Sequence, residues 1–345
     1  MLHFADRLLA ACKAKGSPIC VGLDPVYEKL PAELLERDDL SDMADGDCTE
    51  MERRALAIHD YCSEVIRAVA AHVPCVKLQS ACFERYRTVG CEIFHSLIEQ
   101  ARDAGLIVIS DVKRNDIGIS AEHYAAGCLS DPKKKWLSEE EPAVGPDAVT
   151  INSYLGADGV EPFTKVAAAE GKGVFALVRT SNPSGDAIQS LLLQNGDTVA
   201  QAMARLIAKL GGSDVGWAPP TNEGAGTAAV GSAHPTGSGA TPSSGLLGKS
   251  GYSLLGAVVG ATKVADAARL RELMPRQIFL VPGFGAQGGK ADDVRACFNS
   301  DGQGAIITAS RSVIFAYEKD KDGPWQKAVE KAAIEMKKEV NAVMG

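Results

Sequence analysis

The sequence predicts an α/β fold: a closed (β/α)8 TIM barrel, formed as a single domain with insertions. Eight short apolar runs predict strands, and helical patterns separate most of them. Strands that alternate with helices favour a parallel sheet with right-handed crossovers, and eight in one series favour a closed barrel over an open sheet. No G-x-G-x-x-G follows the first strand, so a dinucleotide-binding fold lacks its main support.

The individual elements follow from apolar periodicity and from the Gly, Pro and polar turns between the apolar runs. We expect strands at 19–23, 75–78, 106–110, 148–151, 173–178, 257–260, 277–281 and 304–307. We expect helices at 49–71, 81–104, 120–129, 159–170, 197–210, 265–273 and 290–298, and an amphipathic closing helix at 327–344.

The chain has 345 residues, whereas a typical barrel has roughly 250, and three insertions explain the excess. Segment 35–47 is acidic and follows the first strand, and segment 130–145 precedes the fourth. Segment 211–251 is rich in Gly, Ser, Ala, Thr and Pro, so we expect a flexible excursion. Because it joins a helix to a strand, it should lie opposite the ligand face. One barrel domain thus accounts for residues 1–345.

Composition and charge limit the function classes. Hydrophobic content of 46% and charged content of 23% are typical of a globular protein, and a net charge of −8 argues against nucleic-acid binding. The nine cysteines form no C-x-x-C pair, which indicates a reducing compartment. The amino terminus lacks a signal-peptide pattern, and no apolar run reaches the roughly 18 residues of a membrane span. We therefore expect a cytoplasmic protein without a membrane partner.

Charged side chains gather where the first three strands end. Asp24 follows the first strand, Lys77 lies at the end of the second, and Asp111, Lys113 and Asp116 come with the third. The carboxyl ends of barrel strands share one rim, which is the ligand face. Two carboxylates beside one ammonium would keep it charged and would oppose a bound anion. Taken alone, this pattern is also compatible with a solvated turn that holds an ordinary ion pair.

The last two strand ends suggest a phosphate site. A glycine-rich turn at 283–289 contains Gln287, and Arg311 opens a helix after the eighth strand. Free backbone N–H groups and a guanidinium suit a phosphate, which barrels often bind at these loops. Asp24 could instead belong to a simple turn, and Gln79 is as compatible with a scaffold role as with a ligand role. The six histidines lack metal-ligand spacing.

Several motifs together resemble the orotidine 5′-monophosphate (OMP) decarboxylase family, in its branch with longer barrels. They are VGLDP at 21–25, VK at 76–77, DVKRNDIG at 111–118, TINSYLG at 150–156, GAVVGAT at 256–262 and VPGFGAQG at 281–288. The D-x-K-x-x-D element alone is shared with 3-keto-L-gulonate 6-phosphate decarboxylase and hexulose-phosphate synthase. The resemblance implies conversion of OMP to UMP and CO₂ in pyrimidine biosynthesis, without a metal or another cofactor.

The resemblance also implies roles for individual residues. Its catalytic array corresponds to Lys77, Asp111, Lys113 and Asp116, with the last Asp entering the partner's site in a homodimer. Lys113 would be the proton donor. The positions that match substrate ligands are Asp24 for ribose, Ser181 for the pyrimidine, Gln287 and Arg311 for the phosphate, Ile117 and Ser120 from the partner subunit, and Asn152 with a less defined contact.

Two rival functions remain open at this point. A sugar-phosphate lyase on the same barrel would need further carboxylates to hold Mg²⁺, and no added Glu stands at the second strand end. A non-catalytic nucleotide-binding barrel would have little use for the complete charged array. Activity that survives exhaustive chelation would separate the decarboxylase from the lyase, and an OMP assay would separate it from the binding protein.

Overall fold

The structure is a computed structural model that describes residues 2–36, 49–132, 144–213, 245–261, 264–285 and 291–344. Within these ranges, eight parallel strands close into a barrel in sequential order, with β8 paired to β1. The strands are β1 (Ile19–Leu23), β2 (Cys75–Gln79), β3 (Ile107–Arg114), β4 (Ala148–Ile151), β5 (Gly173–Arg179), β6 (Leu255–Val259), β7 (Phe279–Pro282) and β8 (Ala305–Ala309). The predicted TIM barrel is confirmed.

Helices surround the barrel. They are α1 (Phe4–Lys15), α2 (Ala32–Leu35), α3 (Glu50–Val69), α4 (Ala81–Glu84), α5 (Arg87–Asp103), α6 (Gly118–Leu129), α7 (Ala157–Glu170), α8 (Asp186–Gln189), α9 (Val199–Leu210), α10 (Val264–Leu273), α11 (Ala291–Val294), α12 (Arg311–Ile314) and α13 (Trp325–Met344). Among the described residues, no helix combines the length and the apolar character that crossing a membrane requires.

Local sequence signals explain where the long helices begin. Thr49 and Glu52 form a reciprocal capping box at the start of α3, and Thr198 and Gln201 do the same for α9. Each pair satisfies backbone N–H groups that the first helical turn leaves without partners. The apolar faces of these helices then pack against the outer face of the sheet, where they build the larger hydrophobic core.

The structure differs from the predicted elements in three main ways. The helix expected at 81–104 is two helices, because Arg87 has a φ of 55° and interrupts the α-helical geometry. Strand β3 runs to Arg114, so Asp111 and Lys113 are strand residues and do not lie past its end. Helix α1 was not predicted at all, although its buried residues Phe4 and Leu8 are one turn apart.

Helix α1 covers the floor of the barrel, at the amino-terminal ends of the strands. Phe4 packs edge-on against Phe175 of β5 with ring centroids 5.9 Å apart, inside the second hydrophobic cluster. The end of the third insertion meets the same helix, since Asp6 accepts hydrogen bonds from the backbone N–H groups of Lys249 and Ser250. Residues 37–48, 133–143 and 214–244 of the three insertions lie outside the described residues.

We expect Gly173→Ala to destabilise the protein by about 1–3 kcal/mol, because a Cβ at residue 173 would overlap the buried ring of Phe4. Urea unfolding measures the change. Gly127→Ala is the matched control: it lies in helix α6 with open space around its Cβ, so it should be neutral or slightly stabilising. Equal stability of the two variants would contradict the packing of α1 on the barrel floor.

Interior positions of the barrel change from apolar to polar along the first four strands. The floor is lined by Cys20, Cys75, Ile109 and Ala148. Since side chains on one face of a strand recur every second residue, the next interior positions toward the carboxyl ends carry Gly22, Lys77, Asp111 and Thr150. The barrel thus places its polar interior side chains at the mouth, which is the predicted ligand face.

Candidate active site

One buried carboxylate and two ammonium groups form the centre of the site. Lys77 Nζ lies 2.6 Å from Asp111 Oδ2, and Lys113 Nζ lies 2.5 Å from Asp111 Oδ1. The Asp111 side chain is 7% exposed and that of Lys77 is 8% exposed, whereas that of Lys113 is 45% exposed. The array therefore has a buried anchor and one ammonium that reaches into the open mouth.

Two neutral side chains complete the contacts of Asp111. Thr150 Oγ1 donates to Asp111 Oδ1 at 2.7 Å, and Gln79 Nε2 donates to Asp111 Oδ2 at 3.1 Å. Thr150 Oγ1 also accepts a hydrogen bond from the backbone N–H of Lys113 at 3.1 Å. Each Asp111 oxygen thus has one ammonium and one neutral donor, which fixes the orientation of the carboxylate.

Charge balance keeps this buried group ionised. Burial by itself would raise the pKa of Asp111, but the positive charges of Lys77 and Lys113 outweigh it and hold that pKa well below its usual range. Burial would likewise lower the pKa of Lys77, but Asp111 and then Asp24 raise it above its ordinary value. At neutral pH the barrel mouth therefore contains a permanent carboxylate against permanent ammonium charge.

Lys113 has a strained backbone. Its φ is 46°, in the left-handed region that residues other than glycine rarely adopt, and the pairing of β3 with β4 shifts in register between Ser110 and Arg114. Such strain is retained where the surrounding structure enforces it. Here the hydrogen bond from the Lys113 N–H to Thr150 holds the turned backbone, which brings Nζ back onto Asp111.

Asp24 lies beside the array, at the end of β1. Its Oδ1 is 3.8 Å from Lys77 Nζ, which is an ion pair but too long for a hydrogen bond. This oxygen is buried and makes no hydrogen bond within the described residues. The structure therefore brings Asp24, Lys77, Asp111 and Lys113 together, as the sequence predicted.

Asp116 lies outside this cluster in its own chain. Its Oδ1 accepts a hydrogen bond from the N–H of Ile117, and no ion pair joins it to Lys113 among the described residues. Ile117 precedes α6 and is 54% exposed, and Ser120, in the first turn of that helix, is exposed as well. Ile117 and Ser120 thus lie at the surface, and half-buried Asp116 does not join the Lys77–Asp111–Lys113 cluster of its own chain.

Ser181 lies at the end of β5, in a loop that Arg179 holds. Arg179 is buried and contacts Asp186 at 2.6 Å and Asp266 at 2.7 Å. Gly260 allows the approach of Ser181, since a Cβ at residue 260 would stand 2.8 Å from the Ser181 nitrogen. The loop is therefore fixed to both α8 and α10, and Ser181 is fixed against the end of β6.

The predicted phosphate end is only partly described. Arg311 is the first residue of α12 and is exposed, and the turn after β7 approaches it through Gly285, whose Cβ would stand 3.1 Å from Ser312 Oγ. Gln287 lies outside the described residues. Asn152 follows β4 and accepts a hydrogen bond from the backbone N–H of Tyr154 at 3.1 Å, so in this structure it shapes its own loop.

Comparison with known proteins identifies the family of this barrel. The family model described as "Orotidine 5'-phosphate decarboxylase / HUMPS family" matches residues 17–323. The chain belongs to this family. Orotidine 5′-phosphate decarboxylase of Rhodopirellula baltica is 38% identical over 349 residues, covering 99% of each chain. The enzyme of the same name from Caldicellulosiruptor bescii is 33% identical over 348 residues, covering 100% of each.

Solved structures of the decarboxylase family share the fold. A crystal structure described as a candidate orotidine 5′-phosphate decarboxylase, from Streptomyces avermitilis, has a TM-score of 0.70 at 26% identity, covering 100% of this chain and 96% of that one. OMP decarboxylase of Leishmania donovani has a TM-score of 0.64 at 24% identity, covering 99% of both chains. At that lower identity the likeness concerns the barrel alone.

Sequence reasoning missed two supporting groups, Thr150 beside the array and Arg179 in the loop of Ser181. Thr150 was recognised only as part of a strand end, although its interior position, two residues after Ala148, was a usable signal. The ion pair of Arg179 with Asp266 joins residues 87 positions apart, and no local sequence pattern predicts it. Gln79, which was equally compatible with scaffold and ligand, contacts Asp111.

Two other features do not belong to the array. Among the described residues, no three His, Cys, Asp or Glu side chains come together as a metal site. A cavity of about 260 Å³ lies on the outer face of β3, where Ser110 and Val112 alternate with the inward-facing Asp111 and Lys113. Its lining is mainly apolar, from Phe83, Phe94 and Ile98, and it also includes Arg114, His95 and His123.

Proposed function

We propose that this protein is a cytoplasmic orotidine 5′-phosphate decarboxylase, a carboxy-lyase that converts OMP to UMP and CO₂ in pyrimidine biosynthesis. The observation that carries the proposal is the Lys77–Asp111–Lys113 array at the barrel mouth, in a chain that is similar over its full length to enzymes of that name. The open ammonium of Lys113 is the group that can act on a substrate.

The chemical step needs little besides charge and position. The bond from C6 of the pyrimidine to its carboxylate breaks, CO₂ leaves, and the electron pair stays on C6. Lys113 Nζ stabilises this developing carbanion and then transfers a proton to C6, which gives UMP. Water returns the proton to Lys113. The neighbouring Asp111 and the Asp116 of a second subunit would be the carboxylates that flank Lys113.

Asp111 contributes through its charge. Because Lys77 and Lys113 keep it ionised at neutral pH, it would face the substrate carboxylate as a second anion. That contact disfavours bound OMP and disappears when CO₂ departs. Lys77, in turn, offsets the cost of burying the charge of Asp111, and its own side chain stays buried and leaves the mouth open.

The remainder of the nucleotide would supply binding energy. Arg311 is exposed beside the turn after β7 and is the proposed phosphate ligand, together with Gln287. Asp24 would accept a ribose hydroxyl, and Ser181 would contact the pyrimidine. Asn152, Ile117 and Ser120 complete the proposed set, the last two from a partner subunit. Binding of these distant groups helps to hold the reacting ring in place.

The decisive assay follows the absorbance of OMP with purified protein in EDTA. We expect OMP to be consumed with stoichiometric formation of UMP. If the protein were instead the sugar-phosphate lyase, it would not turn over OMP. It would act on 3-keto-L-gulonate 6-phosphate or on a hexulose phosphate, and its activity would depend on Mg²⁺. Tight binding of UMP without any turnover would instead favour a non-catalytic nucleotide-binding protein.

We further propose a homodimer whose active sites are shared between the subunits. An exposed apolar patch surrounds the start of α6 and the loop after β4, and it consists of Ile117, Ile119, Tyr124, Tyr154 and Leu155. Exposed apolar clusters of this kind favour protein contacts. Asp116 borders the patch and makes no ion pair with its own Lys113, so a second copy would bring Asp116 to the neighbouring array.

Hybrid dimers test this sharing. We expect Lys113→Ala and Asp116→Ala dimers to be nearly inactive separately. In co-expressed protein, a hybrid dimer would carry both changes in one site and none in the other, so about one quarter of wild-type activity should return. Activity that stays at the level of the separate variants, although hybrids form, would place Lys113 and Asp116 in the same subunit's site.

A further inference from the structure

A hydroxyl group without a partner lies at the end of β8. Ser310 Oγ is buried and makes no hydrogen bond among the described residues. Ser310 stands at the N-cap position of α12, where a serine ordinarily bonds a backbone N–H, but its side chain makes no such bond. An unpaired buried hydroxyl is unfavourable, so this position calls for a partner that the ligand-free chain does not supply.

The hydroxyl belongs to the interior of the barrel mouth. Ile306 lies in the floor cluster, and Thr308 and Ser310 follow at two-residue intervals on the same strand face. Ser310 as a whole residue is half-buried, in contrast to the fully buried Thr308. Ser310 therefore lies closer to the open side of the barrel mouth than Thr308 does.

Gly22 makes room for this side chain. A Cβ at residue 22 would stand 2.8 Å from Ser310 Cβ, 3.3 Å from Ser310 Oγ and 3.4 Å from Asp24 Oδ1. The two oxygen atoms, both without hydrogen-bond partners in the described structure, thus border the same small space over Gly22. Any larger residue at 22 would occupy that space.

The charges around this space indicate a neutral polar ligand group. Asp24 is the nearest charged group, and a phosphate placed beside its carboxylate would be repelled. A sugar hydroxyl, in contrast, can donate to the carboxylate and exchange a hydrogen bond with a serine. Adjacent hydroxyls of one ribose suit two oxygens that border one space.

We propose that Ser310 is a ribose-binding residue, whose hydroxyl hydrogen-bonds a ribose hydroxyl of the nucleotide beside the one that Asp24 accepts. This rests on the proposed function, since it takes the nucleotide to be the ligand of the barrel mouth. It adds a sugar contact from β8, on the side of the mouth where otherwise only the phosphate ligand Arg311 has been placed.

A cycle that combines a protein change with a ligand change tests the contact. The affinities of wild-type protein and Ser310→Ala for UMP, 2′-deoxy-UMP and 3′-deoxy-UMP are measured by calorimetry. We expect Ser310→Ala to weaken UMP binding roughly 3- to 10-fold, the value of one hydrogen bond. One of the deoxynucleotides, which lacks the partner hydroxyl, should bind wild-type protein and Ser310→Ala equally.

Two further variants accompany this cycle. Ser17→Ala is the matched control, because Ser17 Oγ is likewise buried and unpartnered but lies at the barrel floor, and it should bind all three nucleotides as wild type does. Gly22→Ala tests the same space independently and should weaken UMP binding, because the new Cβ crowds Ser310. Gly22→Ala also provides a test of this space if Ser310→Ala folds poorly.

Different results would contradict the sugar contact and the proposed function. Unchanged UMP binding by Ser310→Ala, or an equal loss for UMP and both deoxynucleotides, would overturn the sugar contact, the latter because it indicates an effect on the phosphate or on the loop. Either result leaves wild-type decarboxylation of OMP intact. Wild-type protein that neither binds UMP nor consumes OMP would overturn both.

Discussion

Replacement of Lys113 by alanine is expected to lower kcat for OMP by about four orders of magnitude or more, while UMP still binds. The variant loses both the charge that stabilises the carbanion and the group that protonates it, and each effect is commonly worth about 10²–10⁴-fold. The proposed ribose and phosphate ligands lie at the ends of other strands and are unchanged. The absorbance assay gives kcat, and calorimetry gives the affinity for UMP.

Lys331→Ala is the matched control for this prediction. Lys331 is an exposed lysine on α13 that pairs with Asp320 and does not belong to the array, so its removal should leave turnover unchanged. Near-normal turnover in Lys113→Ala would remove Lys113 from the proposed chemistry. Complete loss of UMP binding would show that it anchors the nucleotide rather than acting on it.

Asp111→Asn is expected to abolish most activity and to destabilise the fold by about 3–5 kcal/mol at neutral pH. The shape of the side chain is nearly unchanged, but buried Lys77 loses the charge that balances it, and an unpaired buried ammonium is costly. The amide also cannot accept two ammonium groups and two further donors as the carboxylate does. Urea unfolding at pH 7 measures the stability.

The effect of Asp111→Asn on stability should depend on pH in a defined direction. Lys77 and Lys113 lower the pKa of Asp111 in the folded protein, so its contribution is complete above the unfolded pKa of roughly 3.9 and is lost as pH falls through the lowered folded value. The difference between wild type and variant should therefore be constant from about pH 5 to pH 8 and shrink in stronger acid.

Asp320→Asn provides the control for the same chemical change. Asp320 pairs with exposed Lys331, so its neutralisation should leave stability nearly unchanged over the same range. If Asp111→Asn were as stable as Asp320→Asn at pH 7, the Lys77–Asp111 pair would not be the buried anchor of the array. A difference that grows toward acid would contradict the direction of the pKa shift.

The barrel was predictable because its interior strands are short, continuous apolar runs. Those runs predicted both ends of β1 and β4 correctly and the ends of the other strands within a few residues. The ends were less certain where polar residues continue a strand, as at Asp111 and Lys113 of β3. Strand β3 continues through these residues because its backbone pairs with β2, with Asp111 in register with Gln79. Composition alone does not predict this register.

The charged array was predictable for a related reason. In a barrel, each strand end reaches the same rim, so Lys77, Asp111 and Lys113 could be placed together from strand order alone. The partners that hold them could not, since the contact of Thr150 with Asp111 depends on the alignment of β4 with β3. Helix α1 was missed because the burial of Phe4, Ala5 and Leu8 depends on the barrel floor that the helix covers, which no local pattern shows.

A crystal structure of the protein with bound UMP tests the central claim most directly. We expect the pyrimidine at the barrel mouth, C6 within about 3.5 Å of Lys113 Nζ, Asp111 beside the position of the departed carboxylate, and Asp116 of a second subunit completing the site. UMP bound elsewhere, such as in the cavity behind β3, or Lys113 directed away from C6 and from both aspartates, would contradict it.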